Sequence, residues 1–82
     1  MTTYTLKTTL SEADDIAEGR KTFVFRSSMN SIGYGDEITF RVVKNGTMTR
    51  HPLEKQRYCV TYVSGDAPIE KGFVVIGFRR TA

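Results

Sequence analysis

The run Glu37-Ile-Thr-Phe-Arg-Val-Val-Lys44, followed by Asn45-Gly46, constrains this chain more than any other stretch. Ile38, Phe40 and Val42 alternate with Thr39, Arg41 and Val43, the period-two pattern of a strand with one buried face. Asn-Gly then supplies the two positive-φ positions of a type I′ turn. The chain is therefore expected to double back as a hairpin, with Thr47 to His51 as the returning strand, ending before Pro52. The inward face should carry Ile38, Phe40 and Val42.

The other segments are short enough to belong to the same sheet. Tyr4 to Thr8 reads as a first strand, and Gln56 to Val63 as a later one. Ser11 to Gly19 (SEADDIAEG) reads as a helix of about two turns. Ser11 is its expected N-cap, Asp14 the acidic half of a capping box, and Gly19 its stop. Leu10, Ala13, Ile16 and Ala17 recur at helical spacing, leaving the acids on a solvated outer face. In KTFVFR, Phe23 and Phe25 share one strand face and are expected to enter the core, which leaves Thr22, Val24 and Arg26 at a rim. SSMNSIGYGD (27–36) reads as a turn-rich loop, and SGDAP as a turn. Its Gly33-Tyr34-Gly35 lacks the third glycine and the strand–loop–helix setting of a phosphate cradle. Phe73 to Phe78 (FVVIGF) is nearly continuous apolar sequence, expected as a central strand buried on both faces. The expected fold class is α+β: five or six strands with one short N-terminal helix, in a single domain over 1–82. Closing such a sheet into a barrel would protect its edges in a chain this short.

Charge narrows the functional classes. Formal net charge is +3. Residues 1–18 hold one lysine against four acids, a net of −3, and residues 19–82 hold eleven cations against five acids, a net of +6. A basic face on the β-rich part suits a phosphate-bearing partner. One cysteine, Cys59, rules out an internal disulfide, and its setting in YCVTYV suggests a strand thiol. With His51 as the single histidine, a typical zinc site lacks its ligands. No metal and no cofactor are expected. Nothing approaches the roughly 18 apolar residues of a membrane span, and the start has no secretory pattern, so a cytoplasmic protein is expected.

The order of elements, the residues Gly19-Arg20-Lys21-Thr22 with Arg26, and Gly35-Asp36 before a strand together resemble the ASCH domains of the PUA-like β-barrel superfamily. The similarity runs from about Tyr4 to Arg79 and includes VTYV and GFVVIGF as closing strands. It implies a small PUA-like barrel whose cleft serves RNA binding or RNA modification. Around GRKT the chain is most similar to the acetylcytidine amidohydrolase branch. There the lysine and a second threonine are catalytic, helped by a later glutamate. In this chain the second threonine position holds Val24, where many ASCH domains carry an acid, and the later glutamate has no evident counterpart. Thr22 lies two strand residues away, about 6.6 Å, too far to replace a positioned nucleophile.

The resemblance and the charge together imply a non-catalytic module that binds RNA or a nucleotide. Lys21, Thr22 and Arg26 are its expected cleft residues, Arg41 and Arg57, with Arg50, Arg79 or Arg80, extend the basic face, and Tyr34 is an exposed stacking residue. Two other readings accompany it. One is an amidohydrolase acting on an acylated cytidine-type nucleoside through Lys21 and Thr22. The other is an adaptor or inhibitor that binds a protein partner.

Overall fold

The computed structural model describes residues 2–27, 32–66 and 68–81. Of the expected loop 27–36, residues 28–31 lie outside the described residues, as does Ala67 of the SGDAP turn. The elements follow as β1 (Thr3–Thr9), α1 (Leu10–Ala17), β2 (Phe23–Ser27), β3 (Glu37–Lys44), β4 (Thr47–Met48), a 3₁₀ turn (Pro52–Lys55), β5 (Tyr58–Ser64) and β6 (Phe73–Arg80). They form one mixed sheet in the order β1-β3-β5-β6-β2, with β4 also paired to β3. β1 runs parallel to β3, and every other pairing is antiparallel. The architecture is a small α+β fold with one α-helix among the described residues.

β3 has its expected bounds, and Ile38, Phe40 and Val42 are all buried. Asn45 and Gly46 have φ of 52° and 77°, the two left-handed positions of the hairpin turn. The returning strand is shorter than expected: β4 stops at Met48, and Thr49 adds one more bond to Val42 O. The chain then turns into the 3₁₀ segment, where His51 Nδ1 accepts from Leu53 N at 3.0 Å. Phe40, Tyr58 and Phe78 meet at the centre of the core with ring centroids 5.1–5.6 Å apart.

Helix α1 starts one residue earlier than expected, and its cap is Thr9, not Ser11: Thr9 Oγ1 accepts from Glu12 N at 3.2 Å. The preceding strand ends in an extended residue with a hydroxyl, which is what an N-cap needs. Ala13 and Ile16 are its buried residues. Gly19, at φ 81°, ends it as expected.

Two expectations about faces are reversed. Val24 is fully buried, whereas Phe23 and Phe25 are 43% and 52% exposed. β2 therefore sends Val24 to the core, opposite Ile76 of β6, and turns its phenyl rings outward. The physical reason is that FVF is apolar on both faces, so alternation alone cannot orient it, and a one-residue choice of face moves every side chain. Arg26 shares the Val24 side and finds its partners there, as described below. β6 is also not the central strand. It lies between β5 and the terminal strand β2, with Ile76 and Phe78 inward and Phe73 exposed. Its continuous apolar run reflects an outer face that adjoins the outward rings of β2.

β5 contains one irregularity. Val60 pairs with Phe78 and Tyr62 with Gly77, so Thr61 is an extra residue in the ladder. Tyr58 and Val60 point inward, and strict alternation would send Tyr62 after them. The bulge at Thr61 turns Tyr62 outward instead and lets Val63 pack against the core.

Candidate functional site

Glu12, on the first turn of α1, organises the basic residues that follow the helix. Its Oε2 accepts from Lys21 Nζ at 2.8 Å, and its Oε1 accepts from Thr8 Oγ1 at 2.5 Å and from Arg26 Nη2 at 3.3 Å. The same Arg26 guanidinium donates to Phe25 O at 2.6 Å and to Lys7 O at 2.7 Å. Burial pushes the Glu12 carboxyl up, but the hydrogen bonds from Lys21 and Thr8, with the charges of Lys21 and Arg26, outweigh it and hold the group below its ordinary value. Glu12 therefore stays ionised, and the triad carries a net single positive charge. The acids of α1 were expected on a solvated face; Glu12 corrects that expectation. Asp14 instead takes His51 Nε2 at 2.8 Å, while Asp15 and Glu18 pair with Arg20.

A cleft of about 200 Å³ opens beside the triad, between the end of α1 and the end of β6. Lys21, Thr22, Arg79 and Arg80 line it together with Glu18, and the edges of Tyr58 and Phe78, both otherwise buried in the core, reach it. Phe78 N donates to Thr22 O at 2.9 Å, which fixes Thr22 beside β6 beyond the end of β2. Arg80 Nε donates to Gln56 Oε1 at 2.7 Å, whereas Arg79 forms no ion pair among the described residues. Burial raises the Tyr58 hydroxyl above its ordinary value, partly offset by Arg80, so the phenol is neutral and able to donate.

Not every sequence-selected residue meets at this cleft. Arg41 and Arg57 line a separate hollow of about 550 Å³, together with Lys55, Thr5 and Thr39. There the Thr5 and Thr39 hydroxyls lie 3.2 Å apart, and Arg57 Nη1 is 3.4 Å from Glu37 Oε1. Glu54, at the edge of this hollow, is committed to the fold, since its Oε2 accepts from Val42 N at 3.1 Å. Tyr34 is 83% exposed in the turn before β3 and lines neither hollow. Lys21 and Thr22 reach the cleft, while Arg26 lies behind it and joins the sheet's two terminal strands. Among the described residues, no group of three or more His, Cys, Asp or Glu side chains is placed to hold a metal ion, and no helix is long and apolar enough to cross a membrane.

The sequence reading missed Glu12 and the outer aromatic face. Thr9-x-x-Glu12 is itself a capping-box spacing and marks the helix start, but nothing local reveals that the carboxylate turns back to Lys21 and Arg26. The chain matches no protein-family model and no curated protein.

Proposed function

We propose that this chain is a PUA-like module of the ASCH type that binds RNA or a nucleotide at the α1–β6 cleft and catalyses no reaction on it. One observation carries the reading: Lys21, Arg79 and Arg80 line a single cleft that the edges of Tyr58 and Phe78 also reach. Three cations at one hollow supply attraction for phosphate. The barrel implied by the resemblance is part of the same proposal. It is supported by the guanidinium of Arg26, which links β2 to the carbonyl of Lys7 on β1 although no ladder pairs those strands among the described residues.

Two features favour binding without catalysis. Val24, where the hydrolase branch has its threonine, is fully buried in the core and does not line the cleft. The Lys21 ammonium is bonded to Glu12, so it is not poised over Thr22 as a free base.

Binding of hexauridylate, measured at low and moderate salt, tests the proposal. With three phosphate contacts the salt slope should be about −2, and Arg79→Ala/Arg80→Ala should abolish most of it. Absence of wild-type binding at high micromolar concentration would overturn the reading and favour a protein partner.

A further inference from the structure

Phe23 and Phe25 of β2, Phe73 of β6 and Tyr62 of β5 are between 43% and 60% exposed, and all four leave the same side of the sheet. The register makes this explicit. Phe23 pairs with Gly77, which pairs with Tyr62; Phe25 pairs with Val75, which pairs with Ser64; Ser27 pairs with Phe73. Directly paired residues of an antiparallel ladder share a face. Phe23 and Phe25 already meet edge to face, with centroids 5.9 Å apart.

The row Phe23–Gly77–Tyr62 has a particular shape. Adjacent strands lie about 4.8 Å apart, so the two ring-bearing backbones are about 10 Å apart with only a glycine between them. Gly77 adds no side chain to the row, although Tyr62 Cβ crowds it, 3.3 Å from where a Cβ of Gly77 would lie, so a base would stack on the exposed faces of the two rings rather than against the Gly77 backbone. Tyr62 stands in this row only because of the bulge at Thr61. At one end of the platform are Lys21, whose Nζ lies 5.7 Å from the centre of the Phe23 ring, and Arg79, on the same face as Gly77. Both also belong to the cleft. At the opposite end, Pro68, Ile69 and Glu70 line a hollow with Phe25 and Phe73, and no cation lines it.

We infer that this outer face is a stacking platform for the bases of a single-stranded RNA that leaves the cleft past Lys21 and Arg79 and crosses Phe23, Gly77 and Tyr62. The inference rests on the binding function proposed above and extends it from a nucleotide pocket to a strand of several nucleotides. Charge complementarity selects the occupant: cations at the entry neutralise phosphate, and rings beyond them accept bases without sequence preference. A purely apolar partner would have no use for Arg79 at the edge of the patch.

The test compares uridine monophosphate with hexauridylate on wild type, Phe23→Leu, Tyr62→Leu and Arg80→Ala. Leucine keeps an apolar side chain but removes the stacking plane. Each ring variant should bind hexauridylate about 5- to 30-fold more weakly and leave the monophosphate unaffected. Ring protons of Phe23 and Tyr62 should shift upfield on titration with hexauridylate, a readout on wild type that stands even if a variant folds poorly. Unchanged hexamer affinity in both ring variants, with loss in Arg80→Ala, would overturn the platform and leave the cleft intact. Failure of wild type to bind either ligand would overturn both. A wild-type dimer in sedimentation velocity that Phe25→Glu dissociates would assign the face to a second copy and overturn the platform.

Discussion

Arg26, on one terminal strand of the sheet, donates from Nη2 to the main-chain oxygen of Lys7 on the other, at 2.7 Å. One side chain thus supplies a contact between two terminal strands that share no ladder among the described residues. Its second partner, Glu12, fixes the planar guanidinium from the helix side. The residue that the resemblance marks as a cleft cation therefore holds the framework of the cleft.

Arg26→Met should cost about 1–3 kcal/mol, because it removes charge-assisted hydrogen bonds and leaves the Lys7 carbonyl and Glu12 less satisfied. Arg26→Lys should recover only part of this, since an ammonium cannot reproduce the fork. Urea denaturation of the three proteins gives the comparison. A loss of RNA binding with unchanged stability would instead make Arg26 a ligand contact.

The pH dependence of stability follows from Glu12. Its carboxyl is held below the usual 4.5 in the folded protein. A depressed folded value means that this contribution is complete above the unfolded value and is lost as pH falls through the folded one. Wild type should therefore weaken below pH 4.5 more steeply than Glu12→Gln, whose amide does not titrate. Urea midpoints between about pH 3 and 7 provide the measurement; parallel curves would show that the ionised triad contributes nothing.

Val24→Thr restores the hydroxyl of the hydrolase branch, but at a fully buried position opposite Ile76. An unpartnered hydroxyl there should destabilise the fold by about 1–3 kcal/mol. Incubation with acetylcytidine should give no cytidine above the buffer control, for both wild type and variant. Product from either would refute the non-catalytic reading.

His51 should matter for stability rather than chemistry. Its Nδ1 accepts from Leu53 N, so Nε2 carries the proton and donates to Asp14 at 2.8 Å. The ring therefore joins the 3₁₀ turn to α1. His51→Ala should lower stability by about 1–2 kcal/mol through loss of the cap, with hexauridylate affinity unchanged.

Where polar and apolar residues alternated, the sequence was readable. β3 has its expected bounds and inward trio, and the Asn45-Gly46 turn has the required dihedrals. Where both faces were apolar, as in Phe23-Val24-Phe25, alternation carried no sign, and the orientation depended on Arg26 meeting Glu12 fourteen residues away. Tyr62 was equally opaque, because a single-residue bulge leaves no mark in YCVTYV. Lys21 and Thr22 were singled out from the GRKT stretch, but that they line one hollow and Arg41 and Arg57 another follows from the tertiary fold, not from spacing.

The parallel pairing of β1 with β3 has a kinetic consequence. Thr3 aligns with Glu37 and Thr9 with Val43, so each ladder bond of the first strand closes a loop of more than thirty residues. During synthesis, β1 has no sheet partner until β3 has emerged, although α1 can form at once. Long-range closures of this kind slow folding. The Thr8–Glu12–Arg26 contacts, which need β1, α1 and β2 together, should accordingly be among the last to form, and substitutions there should speed unfolding more than they slow folding.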